Sequence, residues 1–168
     1  MWELSSGKCM ASIAMSTETN AHKAPVATLE VVPCADGEYI ASGSADGELK
    51  LWRNNGEFAW NGSHNGVINC LRAFKDEIGG ILFFSLRILT LDAAAGDQML
   101  LIGTSEGVIC ARSCVSMNIM FQLDNRTVCH RNVVTSIINL GHSCFASSSD
   151  DGLLMLWQVQ QPLKDTSG

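Results

Sequence analysis

Three histidines stand at comparable places along the chain. His22, His64 and His130 are each followed by a carboxylate, at Asp46, Glu106 and Asp151. A histidine held by a carboxylate is the working pair of many general bases. Cysteines at positions 9, 34, 70, 110, 114, 129 and 144 add thiol chemistry, and Cys129 adjoins His130. Thiolates with an imidazole are the donors of a zinc site. Each of these readings meets a simpler one. A zinc site wants tighter cysteine pairs and a second matched pair. On a strand, Cys110 and Cys114 would share a face yet stand about 13 Å apart. The run GTSEG (Gly103 to Gly107) lacks the lysine of a phosphate loop, and no serine stands in a nucleophile elbow. The histidines recur at the head of a repeating unit, so a structural role is expected for them. The sequence thus nominates no catalytic, no cofactor-binding and no metal-binding residue.

The repeating unit is visible directly. YIASGSADGELKLW (Tyr39 to Trp52) returns as CFASSSDDGLLMLW (Cys144 to Trp157), with Ala, Ser, Ser, Asp, Gly, Leu, Leu and Trp in the same columns. A weaker copy, MLLIGTSEGVICAR (Met99 to Arg112), keeps Gly107 and the apolar alternation. It puts Glu106 in the Asp column and Arg112 in the Trp column. The middle unit is longer than its neighbours by roughly 20 residues. With that excess set aside the unit is about 43 residues, the period of a four-stranded propeller blade.

The elements around these columns have strand character. VATLEVV (Val26 to Val32), YIASGSA (Tyr39 to Ala45), ELKLW (Glu48 to Trp52) and EFAW (Glu57 to Trp60) are short β-prone runs. They are divided by Asp36-Gly37, Asp46-Gly47, Asn54-Asn55-Gly56 and Asn61-Gly62. Asp-Gly and Asn-Gly supply the positive φ that tight hairpins require. One such sheet cannot bury both faces alone and needs neighbours stacked on it.

On these residues the chain resembles the WD-repeat family of β-propellers. The likeness is good from His22 to Trp52 and from His130 to Trp157, and partial from His64 to Arg112. Only the tail of a unit is visible from Trp2 to Met15. The usual Trp-Asp dipeptide is absent, since Trp2 precedes Glu3, Trp52 precedes Arg53 and Trp157 precedes Gln158. The resemblance implies an all-β fold: a partial β-propeller of four-stranded antiparallel blades in an incomplete ring. It implies a single domain over 1–168. Residues 1–15 would end one blade, 22–62 form a blade, and 64–125 form a diverged blade with an insertion near 75–91. Residues 130–157 would form an incomplete last blade, and 158–168 a polar tail. It also implies two hydrogen-bonded tetrads, His22, Ser42, Asp46 and Trp52, and His130, Ser147, Asp151 and Trp157. Ser44 and Ser149 share the strand face with Ser42 and Ser147 and compete for the serine place. With Ile102, Glu106 and Arg112 in the columns, no tetrad is expected in the middle unit.

The implied function is a non-catalytic protein–protein interaction scaffold. The rival reading is the substrate-recruiting or regulatory part of an enzyme, such as a ubiquitin ligase or kinase, with its catalytic domain elsewhere. About three blades' worth of strands does not close a propeller, which takes four to eight. Three arrangements answer that count: a fragment or truncated form of a longer propeller, a ring completed by self-association through exposed blade edges, or an open stack. ILFFSLRIL within the insertion is too short for a bilayer span. It reads as a loop or extra edge strand, as translated material normally removed, or as an element touching a partner or membrane. Other proteins are the expected partners. A net charge of −6 argues against nucleic acid, whose binders are basic. An odd cysteine number without framework spacing points to a reducing, intracellular location, cytoplasmic or nuclear.

Overall fold

The computed structural model describes residues 2–3, 5–9, 20–34, 37–75, 87–90, 98–124, 129–141 and 143–160. Strands β1 (Trp2–Glu3) and β2 (Lys8–Cys9) pair as a short hairpin. Three four-stranded sheets follow. The first runs β3 (Val26–Cys34), β4 (Gly37–Ser44), β5 (Glu48–Arg53) and β6 (Phe58–Ser63), each antiparallel to the next. The second holds β7 (Ile68–Lys75), then β9 (Gln98–Thr104), β10 (Ile109–Ser113) and β11 (Ile119–Leu123), in that spatial order. Between β7 and β9 in sequence lies β8 (Arg87–Thr90), which joins a different sheet. That third sheet is β12 (Val134–Gly141), β13 (Cys144–Ser149), β14 (Leu154–Gln160) and β8. Among the described residues there is no helix. The sheets form an open stack.

Side chains alternate along a strand, so each sheet has two faces, and the middle sheet presents one to the first sheet and the other to the third. Val32, Ala41, Leu49 and Leu51 on the following face of the first sheet share one core with Ile68, Leu71, Leu100 and Ile102 of the second. Met99, Leu101, Ile109 and Ala111 on the second sheet's other face share a separate core with Ile137, Phe145, Met155 and Trp157 of the third. Burial of each such large side chain stabilises by about 1.5–3 kcal/mol. The cores lie between sheets, so no sheet is stable without a neighbour.

The turn glycines couple the sheets. Gly47 has φ +75° and Gly107 φ +77°, a region that side chains rarely adopt. Each also sits under the backbone of the next unit. A Cβ at Gly47 would lie 2.8 Å from the His64 carbonyl oxygen, and one at Gly107 2.3 Å from that of His130. The His64 amide donates to the Gly47 carbonyl at 2.8 Å. Gly47 and Gly107 are thus fixed by conformation and by the close approach of the following histidine, whereas Gly152, at φ +80°, is fixed by conformation alone.

Two expectations need correction. The polar tail was placed at 158–168, but β14 runs to Gln160, because Val159 continues the buried face of Met155 and Trp157; residues 161–168 lie outside the described residues. The last blade was expected to be incomplete and bare-edged, yet β8 pairs along its outer edge. It does so in parallel, Trp157 opposite Arg87 through Gln160 opposite Thr90, so this sheet is not wholly antiparallel. The insertion near 75–91 therefore supplies an edge strand at 87–90; its residues 76–86 and 91 lie outside the described residues.

Candidate functional site

In the first sheet the β4–β5 turn brings a carboxylate back toward the segment that precedes β3. His22 Nδ1 lies 3.4 Å from both Asp46 carboxylate oxygens. His22 Nε2 is 2.7 Å from Ser42 Oγ, and Trp52 Nε1 donates to that same Oγ at 2.8 Å. The third sheet repeats the arrangement. His130 Nδ1 is 3.1 and 3.3 Å from the Asp151 oxygens, Nε2 is 2.7 Å from Ser147 Oγ, and Trp157 Nε1 donates to Ser147 Oγ at 2.8 Å. One assignment of protons satisfies every atom. Nδ1–H donates to the carboxylate, the serine hydroxyl donates to Nε2, and the serine oxygen accepts from the indole. Ser44 and Ser149 do other work. Ser44 Oγ donates to the Ala24 and Pro25 carbonyls, Ser149 Oγ donates to that of Asn132, and they accept from the Asp46 and Asp151 amides.

The carboxylates are also held by backbone. Asp46 accepts from the Lys23 and Glu48 amides at 2.8 and 2.9 Å, and Asp151 from those of Arg131 and Leu153 at the same distances. Burial works to raise both carboxyls. The amides, with the Ser44 hydroxyl and His22 at one site and His130 at the other, outweigh it. Asp46 is held below its ordinary value and Asp151 is brought down to about 2. These carboxylates anchor turns and the histidines face inward, an arrangement unlike a base awaiting a substrate.

The middle sheet replaces the set. Arg112, buried in the Trp column, donates from Nε to His64 Nε2 at 3.1 Å and from Nη1 to the Met117 carbonyl at 2.7 Å. Its guanidinium lies 5.0 Å over the Trp60 ring. Burial and the adjacent Arg112 charge bring His64 down to about 4. Cys70, Cys110 and Cys114 are buried thiols. Burial pushes Cys70 and Cys110 up to about 11 and, with Cys34 nearby, Cys114 up to about 12. Such thiols are poor nucleophiles and poor metal ligands at neutral pH.

His22, Asp46 and Glu48 place donor atoms within 4.8 Å of one another, a grouping the sequence did not suggest. Lys50 Nζ already sits 2.7 Å from Glu48, and Asp46 is occupied by two amides and His22. Lys50 is buried and also donates to the Asn20 and Ala21 carbonyls. The cation of that grouping is therefore a lysine of the chain itself.

A cleft of about 340 Å³ opens between the first and second sheets, at the end opposite the Asp-Gly turns. Tyr39, Leu51, Trp60, Met117, Val115 and Cys114 line it. A polar hollow beside it shares Tyr39 and is edged by Glu38, Arg53, Asn54, Asn55 and Glu57. Arg53 lies 5.5 Å over the Tyr39 ring. No sequence spacing joins these residues, because they come from the β3–β4, β5–β6 and β10–β11 ends of two different units.

The family profile described as "WD domain, G-beta repeat" matches residues 8–53 and 123–158. No curated protein matches the chain. Among solved structures it is similar to "Structure of U3-55K", with a TM-score of 0.65 and 16% identity over 94% of this chain and 41% of that one. It is equally similar to "Crystal structure of RRP9 WD40 repeats", with a TM-score of 0.64 and 16% identity over 94% of this chain and 40% of that one. The chain thus spans about two fifths of the length of these propellers. The chain carries segments that match the WD-domain profile at two places, and its three stacked four-stranded sheets have the fold of a partial β-propeller.

Proposed function

We propose that residues 1–168 form one WD-repeat domain that acts as a non-catalytic protein–protein interaction scaffold, as part of a propeller larger than its own three sheets. The observation that carries this reading is the inward use of its reactive groups. All three repeat histidines are spent on contacts within the fold, and the cleft at the opposite end is lined by Tyr39, Trp60, Val115 and Met117 with a polar rim. Rigid turns with an aromatic floor and a polar edge suit a peptide segment of another protein. The net charge of −6 favours a protein over nucleic acid. The buried thiols favour a reducing, intracellular location, cytoplasmic or nuclear. Among the described residues no helix is long and apolar enough to cross a membrane.

The test is quantitative capture from cell extract with the wild-type chain and with Val115→Asp and Arg53→Glu, which alter exposed side chains at the cleft and its rim. Proteins held by the wild type and lost from both variants, with circular dichroism unchanged, are the expected result. An identical set on all three refutes the cleft. Stoichiometric zinc surviving extensive dialysis, or a turnover abolished by a histidine substitution that leaves the fold intact, refutes the non-catalytic reading.

A further inference from the structure

The three sheets let one column be compared in three settings. In the first and third sheets it holds Trp52 and Trp157. Each spends its single N–H on a serine of its own sheet, Ser42 or Ser147. Each ring also packs within that sheet, Trp52 at 5.6 Å from Phe58 and Trp157 at 5.8 Å from Phe145. In the second sheet Arg112 takes the column, and its contacts run outward instead. Nε donates to His64, in the segment between β6 and β7. Nη1 donates to the Met117 carbonyl, in the turn between β10 and β11. The guanidinium lies 5.0 Å over Trp60, which stands on β6 of the first sheet. Trp60 and Met117 are walls of the cleft between the two sheets, one from each sheet. Arg112 is only 8% exposed, and it touches both walls from behind.

The backbone of the β10–β11 turn is a second, independent observation. In the matching β5–β6 turn the Arg53 amide donates to the Glu57 carbonyl at 2.8 Å, and the Gly56 amide to the Arg53 carbonyl at 2.9 Å. In the β10–β11 turn the Ser113 amide donates to the Asn118 carbonyl at 3.0 Å, and the Met117 amide to the Ser113 carbonyl at 2.9 Å. The residue before the closing position is left-handed in both, with φ 91° at Gly56 and 58° at Met117. Glycine adopts that region freely, and a methionine seldom does. Such a conformation persists only where its surroundings hold it, and it gathers at sites that clamp ligands. Here the bond from Arg112 to the Met117 carbonyl, at 2.7 Å, is the hold. What the strained position gains over glycine is a side chain, and that side chain is a buried part of the cleft wall.

We propose that Arg112 is a positioning residue of the cleft. It fixes the spacing of the Trp60 and Met117 walls and keeps the Met117 turn left-handed, without touching what docks there. The proposal rests on the reading of the cleft as a docking site and names the residue on which the shape of that site depends. A tryptophan in the column has one N–H and no means of doing this. A guanidinium has five donors in one plane and a flat face that stacks on an indole, so one side chain bonds the histidine and the turn while lying on Trp60. Burial strengthens the charged hydrogen bonds and the cation–π contact alike. Lysine keeps the charge and loses both the fork and the face.

The experiment compares the wild-type chain with Arg112→Lys and with the double variant Ile102→Ser, Arg112→Trp. The double variant puts back the serine and indole of the other two sheets, so His64 keeps a donor and the melting temperature is expected to stay close to the wild type. A purely structural Arg112 is replaced by that pair without further effect. A positioning Arg112 is not. Exchange of the Met117 amide, followed by NMR, is expected to quicken on the order of tenfold or more in the double variant, because a charged hydrogen bond to the turn is gone. Fluorine NMR of fluorotryptophan-labelled chains, with the Trp60 signal assigned through Trp60→Phe, is expected to show that signal moved in both variants. Peptides are selected from a phage-displayed random library on the wild-type chain and kept only where Val115→Asp abolishes binding. They are expected to bind the double variant about tenfold more weakly, and Arg112→Lys a few-fold more weakly. Unchanged exchange at Met117, or peptides that bind the double variant as tightly as the wild type, overturns the positioning role and leaves the docking site standing. A selection without any peptide sensitive to Val115→Asp overturns the docking site and this proposal with it. Should the double variant not fold, Arg112→Lys decides alone, and wild-type exchange, fluorine signal and affinity in it overturn the proposal.

Discussion

Replacing Ser147 by alanine removes one oxygen and strands two buried groups. Trp157 Nε1–H loses its acceptor at 2.8 Å, and His130 Nε2 loses its donor at 2.7 Å. Both side chains are almost wholly inside the core between the second and third sheets, where water does not reach to replace the lost partner. A buried group left unsatisfied costs about 1–3 kcal/mol. The two groups share one hydroxyl, and alanine fills most of its space, so the combined cost is about 2–4 kcal/mol. For a chain of this size each kcal/mol moves the melting temperature by about 2–4 °C, which gives a drop of roughly 5–15 °C. The neighbouring Ser148→Ala is the comparison. That hydroxyl meets Thr135 Oγ1 at 2.9 Å on an exposed face, and its loss should stay within about 0.5 kcal/mol. Differential scanning fluorimetry and calorimetry on the two variants decide the matter. Equal melting temperatures for Ser147→Ala and Ser148→Ala would refute the reasoning, because they would mean that the serine oxygen carries none of the network's stability.

His64 gives a pH signature. Its folded value of about 4 lies below its ordinary 6.5, so between these values the unfolded chain binds more protons. The contribution is full above pH 6.5 and is lost as the pH falls toward about 4; urea melts of the wild type and His64→Gln should differ in slope across that window and run parallel above it. Thiol reactivity should follow burial: iodoacetamide at pH 8 labels exposed Cys9 within minutes, while Cys70, Cys110 and Cys114 label only in denaturant, as read by peptide mass spectrometry.

What the sequence made legible is what repeats. The Asp-Gly turn, the terminal Trp and the upstream His recur because the same backbone geometry and the same buried polar set recur, and alternation follows from one buried face per strand. What it hid falls between repeats. Nothing in Arg87 to Thr90 states a register, so a parallel partner on β14 could not be read from it. Lys50 looks like an ordinary surface residue of a strand, but its neighbours on the fold are the Asn20 and Ala21 carbonyls, thirty positions away. The end of β14 was partly legible. Met155, Trp157 and Val159 alternate correctly, and the glutamines between them obscured it. The cleft lined by Tyr39, Trp60 and Met117 was not legible at all, because it exists only when two units stack.

The middle unit shows how such a network is changed without leaving an orphan. A serine in the column must have a donor and an acceptor around it, and an indole must have an acceptor. Ile102 in place of the serine alone would strand both the histidine and the tryptophan inside a core. The chain changes both columns together. Arg112 stands where the indole would be and supplies to His64 Nε2 the proton that a serine hydroxyl would have given. Its remaining charge is placed over Trp60 and against the Met117 carbonyl instead of in apolar packing. Burial and then the adjacent Arg112 charge disfavour imidazolium, so His64 is held neutral, which is the state needed to accept from Arg112. The substitutions at 102 and 112 are therefore one change in physical terms. Restoring Trp at 112 without Ser at 102 would put back the donor without its acceptor, and satisfaction of the buried groups, more than similarity to the other repeats, is what those two columns conserve within this chain.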